Sequence, residues 1–249
     1  MNYQTKIKWA FASAIVASIC WIIGDIFVAG FEVNPTDYPL FSKDYADKVD
    51  VGLATLMLEG STNRLIFGAL IASMTAILFL PGVWLAYQFI KDKSKWYACG
   101  TYCLLVLSVL LMPLGHAVFF FTGEIHKAIY HTDKIAHPYL LETASGFMKV
   151  HYITWGTAII VLLLSWLIFS VLVFSGKTIL PKWAGLISLV FITIYQIPFN
   201  LLLPPSDIKG YLGSAGFNIA YLIFFVLLLI LFRQKLITFN SQISTKQDD

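Results

Sequence analysis

The sequence predicts an all-α membrane protein: one polytopic domain over residues 1–249, built as a bundle of six transmembrane helices with both termini cytoplasmic. Three observations lead there. Of the 249 residues 58% are hydrophobic and 12% are charged, about half the charged share of an average soluble protein. Six uncharged runs, at about 9–31, 65–90, 96–121, 150–174, 183–203 and 213–232, are each about 20 residues or more, the length a helix needs to cross roughly 30 Å of hydrocarbon. Of the 31 Asp, Glu, Lys and Arg residues, only Asp25 falls inside one of these runs. The runs lack period-2 alternation, so helices are the solution that satisfies every backbone group in lipid. With a net charge of +3 and 3 Cys, the chain is not expected to be disordered, a disulfide scaffold or a nucleic-acid partner.

Span 9–31 follows Lys6 and Lys8. Its apolar run is longer than a signal-peptide core and has no convincing small-x-small cleavage site, so it is expected to stay in the chain. Ala17-Ser18-Ile19-Cys20 lacks the small residue that a lipoprotein cleavage box needs before its cysteine. In the loop 32–64, Val49, Gly52, Leu53, Leu56 and Met57 recur at helical spacing beside Asp47, Lys48 and Asp50. That pattern predicts a short amphipathic helix on the outer surface, either a lid or a cover for the bundle end.

Span 65–90 follows Arg64. Span 96–121 meets no strong breaker after Pro113, so its helix should continue through Gly123 to Tyr130. Within the loop 122–149, Pro138 offers a fresh helix start that leads into span 150–174. Span 183–203 carries Pro198 between Gln196 and Asn200, which frees backbone oxygens to line a cavity or leaves a simple kink. Span 213–232 opens on Gly213, Ser214, Gly216 and Asn218, a small-residue flank suited to close packing. Trp9, Trp96 and Trp183 begin their spans at one interface, as an aromatic belt does. Cys99 and Cys103 read as free packing thiols.

Basic residues sort between alternate loops. One side receives ten (Lys6, Lys8, Lys91, Lys93, Lys95, Lys177, Lys182, Arg233, Lys235 and Lys246) against Asp92, Asp248 and Asp249. The other receives seven, against ten acids from Glu32 to Asp207. The first side should be cytoplasmic, which places the protein in the plasma (inner) membrane with its long loops outside.

Intramembrane polar groups are the strongest functional signal in such a chain. By helical rise, Asp25, His116 and Asn200 lie about 24, 30 and 25 Å from the cytoplasmic ends of their helices. Arg64, His151 and Asn218 open their own spans near the same outer level. Those six residues form the candidate ligand-binding pocket. A secondary stripe climbs out of the third span through Glu124, Lys127 and His131, which share a helix face with His116. All 5 His residues lie between the third span and the start of the fourth. One carboxylate and two imidazoles, Asp25, His116 and His151, could hold Zn with an open position or act as a general-base relay. The sequence carries no His-Glu-x-x-His, no His-x-x-x-His and no paired-Cys motif, so no cofactor is expected and Zn is the alternative.

Through Trp21-x-x-Gly24-Asp25 and Gly115-His116, the chain resembles small six-helix bacterial integral membrane proteins of unknown function; that resemblance implies no activity. It departs from the membrane hydrolases related to alkaline ceramidases in span number and in lacking their paired His on a late helix. The leading expectation is an uncharacterised multi-pass protein that binds, senses or moves a small or amphipathic, lipid-like molecule. Asp25 and a histidine would share a proton. Two alternatives use the same residues: a hydrolase of lipid esters or amides, and an accessory subunit in which Asp25 contacts only lock helices together. The lipid bilayer is the expected partner, with a homo-oligomer as a further one. Enzymatic activity is left open, leaning against.

Overall fold

The computed structural model describes residues 2–93 and 95–247, with side chains as far as Thr238. Asp248, Asp249 and the side chain of Lys246, counted in the charge balance, lie outside the described residues. The described chain is all-α. Five helical segments are long and apolar enough to cross a membrane, namely Tyr3–Ala29, Thr62–Gln88, Trp96–His131, Lys134–Phe174 and Gly216–Thr238.

Helix α1 (Tyr3–Ala29) starts where the Asn2 side chain accepts the Thr5 N–H at 2.8 Å, satisfying one of the orphan donors of a helix start. After a 3-10 turn and a π-helical turn, α2 (Val51–Glu59) begins at Asp50, whose carboxylate accepts the Leu53 N–H at 2.9 Å. The second candidate span is two helices, α3 (Thr62–Thr75) and α4 (Leu80–Gln88), joined by a 3-10 turn over Ala76–Phe79. Pro81 sits at the start of α4. A proline there supplies no N–H and crowds the carbonyl four residues back, so the ladder tightens ahead of it.

Helices α5 (Trp96–His131) and α6 (His137–Phe174) have 36 and 38 residues, about 54 and 57 Å at the α-helical rise. Both are longer than the roughly 30 Å that a crossing needs, and their far ends form a projecting hairpin. The projection has its own small core of Phe41, Ala54, Ile125, Ile129 and Ala144, closed from above by α2. The amphipathic segment of the first long loop thus covers the end of the bundle with its apolar face inward.

The fifth candidate span differs from expectation. Residues Lys182–Ile187 form a 3-10 turn, and α7 (Leu189–Leu202) has 14 residues, about 21 Å and short of a full crossing. The reason lies at Ser188. Its backbone is extended, and its hydroxyl is 2.6 Å from the Ser170 hydroxyl of α6, so the helix cannot start earlier. Among the described residues five helices are of spanning length, and a shorter apolar helix stands where the fifth run was expected to span. Helices α8 (Asp207–Ser214) and α9 (Gly216–Gln247) complete the chain.

The main core gathers Phe11, Phe79, Trp166, Phe169, Tyr221, Phe224 and Phe225 from α1, the 3-10 turn, α6 and α9. Within it Trp166 donates its indole N–H to the Tyr221 hydroxyl at 3.0 Å. Two of the basic loops meet at one end: Lys91 N–H bonds the Lys177 carbonyl at 2.9 Å, and Ile179 N–H bonds that of Phe89 at 2.8 Å. Tyr3 bonds Gln88 at this same end, so the start of α1 lies there too. At the other end, Lys209 pairs with Glu32 at 3.8 Å and Lys134 with Asp44 at 3.8 Å.

Candidate functional site

Two close helix approaches shape the site. A Cβ at Gly24 of α1 would lie 2.8 Å from Ala72 Cβ and 2.9 Å from the Gly68 carbonyl of α3, and one at Gly68 would lie 2.8 Å from the Gly24 carbonyl. Only hydrogen fits at that crossing. On α5, a Cβ at Gly115 would lie 2.9 Å from the Trp155 backbone of α6. The next residue, His116, is thereby turned toward α1.

Between α1, α5, α6, α7, α8 and α9 lies a cavity of about 460 Å³. Its walls are mainly apolar and aromatic, with Trp21, Met112, Phe119, Trp155, Leu162 and Phe217 among them. Asp25, His116, Gln196, Asn200 and Asn218 supply its polar groups together with the hydroxyl residues Thr193 and Ser214. Asn218 donates its amide N–H to Asp25 Oδ2 at 2.6 Å. His116 Nδ1 is 3.5 Å from Asp25 Oδ1, and its Nε2 is 3.2 Å from the Gly68 carbonyl. A carbonyl only accepts, so Nε2 must carry a hydrogen. In a neutral ring, Nδ1 is then a lone pair facing a carboxyl oxygen, an arrangement that is attractive only with a proton on one of the two. The Asp25 side chain keeps 16% of its surface exposed, so it is reachable from the cavity.

The structure brings four of the six candidate pocket residues to this cavity: Asp25, His116, Asn200 and Asn218. Arg64 and His151 are corrected to other places. Arg64 donates Nη2–H to the Ile26 carbonyl at 2.9 Å and Nε–H to that of Phe27 at 3.2 Å, with its guanidinium 4.0 Å from the Phe31 ring centre. It therefore closes the C-terminal end of α1, where the Ile26 carbonyl also accepts the Gly30 N–H at 3.1 Å and the helix dipole favours a cation. His151 points to Thr122, with Nδ1 3.0 Å from the Thr122 hydroxyl, and the Phe119 ring packs against it at 4.2 Å.

His151 belongs to a second polar cluster beneath α2. There His126 donates Nδ1–H to the Thr122 carbonyl at 2.7 Å, leaving Nε2 buried without a partner. Tyr152 donates its hydroxyl to Asp50 Oδ2 at 2.6 Å. Burial works against the Asp50 carboxylate, but the Leu53 N–H, the Tyr152 hydroxyl and the Gly52 N–H outweigh it and hold it below the usual carboxylate range. Among the described residues no three His, Cys, Asp or Glu side chains gather closely enough to hold a metal, so the Asp25, His116 and His151 trio does not form. In the stripe on α5, Glu124 accepts from the Thr62 hydroxyl at 2.9 Å and pairs with Lys127 at 3.1 Å, while His131 is exposed. The stripe ties α3 to α5 outside the cavity.

A family model described as a family of unknown function (DUF6796) matches residues 1–235. The chain belongs to that family. The match takes in every wall of the cavity and assigns no activity. No curated protein and no solved structure matches the chain.

Several cavity residues carried a weaker sequence signal than the charged and histidine positions. Trp21 is four residues before Asp25, Phe119 three after His116, and Gln196 four before Asn200, spacings that put each pair on one helix face. Trp155 and Leu162 had no such marker, because an apolar residue on a membrane helix reads the same whether it faces lipid or a cavity.

Proposed function

We propose that this chain is a multi-pass integral membrane protein of the plasma (inner) membrane, with both termini cytoplasmic, that binds a small or amphipathic molecule in the cavity around Asp25. Binding is the step common to sensing and to movement. Five helices of spanning length and the apolar α7 supply six passes, with the 3-10 turn before α7 making up its missing length. The meeting of basic loops at the end that holds the start of α1 supports the orientation.

The observation that carries the reading is the cavity itself: about 460 Å³, largely apolar, with a few polar side chains converging on one carboxyl group. That is the composition of small-molecule sites. An Asp held only as a helix lock would be packed over, whereas Asp25 faces open space. The His151 ring, turned to Thr122, lends no support to the metal version of the hydrolase reading.

The test is native mass spectrometry of detergent-purified protein beside the cavity-filling variant Ala158→Leu. Ala158 lines the cavity and is buried. Wild-type protein should carry a co-purified small molecule that the variant lacks; identical adduct spectra would remove the proposal.

A further inference from the structure

The unspent hydrogen-bonding capacity of the cavity wall points to its ligand. Asn218 commits its amide N–H to Asp25, and its Oδ1 is buried without a partner. Gln196 Oε1 is likewise buried and unpartnered. Trp21 Nε1 is the one spare buried donor among these cavity side chains. Asp25 adds a carboxyl group. Among its fully buried side-chain atoms the wall therefore asks chiefly for donors.

Charge narrows the class. Among the described residues no Lys or Arg lines the cavity. Arg64 is spent on the Ile26 and Phe27 carbonyls, and Lys209 of α8 pairs with Glu32 outside the walls. His116 is the one titratable side chain that lines the cavity with Asp25. A phosphate or carboxylate headgroup would find no fixed cation, whereas a cation would find a carboxylate among the aromatic side chains of Trp21, Phe119, Trp155 and Phe217.

We infer that the ligand is an organic ammonium, a primary amine on a compact apolar body, whose three N–H groups bond Asp25, Asn218 and Gln196 while the body lies among the aromatic side chains. This rests on the cavity being the binding site. The ammonium enters where the Asp25–His116 pair holds a proton, and that proton leaves to water, so one cation replaces another and the charge of the cavity is unchanged.

The experiment uses the detergent-purified full chain and three water-soluble probes of matched size: phenethylamine, phenethyl alcohol and phenylacetate, followed by calorimetry and by Trp fluorescence. The amine should bind at least about tenfold more tightly than the alcohol, since hydrogen bonds to a charged group are stronger than those between neutral groups. Phenylacetate should bind more weakly than the alcohol. Calorimetry in two buffers of different ionisation enthalpy should show about one proton released per amine bound. Ala158→Leu should weaken all binding, and Asp25→Asn should reduce the amine to the level of the alcohol. The ranking of probes on the unaltered chain decides the matter even where Asp25→Asn does not fold. If the alcohol or the anion binds as tightly as the amine, in a manner that Ala158→Leu abolishes, the amine class falls and the cavity reading stands. If no probe binds, or Ala158→Leu changes nothing, both fall.

Discussion

Replacing Gly24 by Ala tests the helix crossing on which the site is built. The added methyl would sit 2.8 Å from Ala72 Cβ, 2.9 Å from the Gly68 carbonyl and 3.4 Å from His116 Nε2. Carbon atoms in contact prefer about 3.5–4.0 Å, so α1 and α3 must part by close to 1 Å. Overpacking of that size costs about 1–3 kcal/mol. The His116 to Gly68 hydrogen bond, already 3.2 Å, would stretch and forfeit about 1 kcal/mol more. Against this, Ala gains up to about 1 kcal/mol of helix propensity over Gly. The net expectation is a loss of about 1–3 kcal/mol. Gly156→Ala on α6 is the control, because nothing lies within 4 Å of its added Cβ; it should be neutral or stabilising by up to about 1 kcal/mol. Gly68→Ala should match Gly24→Ala in sign, and the double variant should cost less than the sum, since one separation of the helices relieves both clashes. Reversible unfolding in bicelles, followed by near-ultraviolet circular dichroism, measures these differences. A Gly24→Ala protein as stable as Gly156→Ala would mean that α1 and α3 do not cross there.

Arg64→Met should destabilise the fold by about 2–3 kcal/mol through the loss of two charged hydrogen bonds to carbonyls of α1, and Arg64→Lys should not restore it, because an ammonium cannot reproduce the forked contact and the stacking on Phe31; phenethylamine affinity measured below the melting range should persist in both, and its loss would return Arg64 to the site. The Asp50 carboxylate is held below its ordinary range, so its stabilising effect is fully present above the unfolded value of about 3.9 and is lost as pH falls through the lower folded value. Asp50→Asn should therefore lower stability at neutral pH and flatten its decline in acid. An acid melting profile identical to wild type would contradict the role given to Asp50. Tyr221→Phe should cost about 1–2 kcal/mol in the same bicelle assay, because it leaves the buried Trp166 N–H without its acceptor; no change in stability would show that this bond contributes nothing.

The readable and unreadable parts of this protein divide by interaction range. Asn2, Asp50 and Ser206 accept the N–H three residues on, so those helix starts are local matters of a few neighbouring atoms. Pro81 breaks its span for an equally local reason. Ser188 does not: it stands at the N-cap of α7, where its hydroxyl could have accepted a backbone N–H, and it is diverted to Ser170 on another helix. His116 and His151 look alike in the sequence, each an imidazole near the same depth. Gly115 beside the Trp155 backbone turns the first toward Asp25, and Thr122 holds the second away from it. Arg64 likewise finds carbonyls of α1 nearer than any carboxylate of the cavity.

Composition and charge order settled the all-α class and the apolar helices, because lipid penalises every unpaired backbone group and every charge, and these penalties act on each residue independently of the fold. They also singled out Asp25 as the exception that needs a partner. Which partner it takes depended on how helices distant in the chain cross. The Gly24 and Gly68 contact, the Gly115 approach and the set-back of α7 fix separations of an ångström or two, and a cavity with two unpaired acceptors beside a carboxyl group is the product of those separations. Helical spacing places a side chain on a face, whereas packing decides what that face meets.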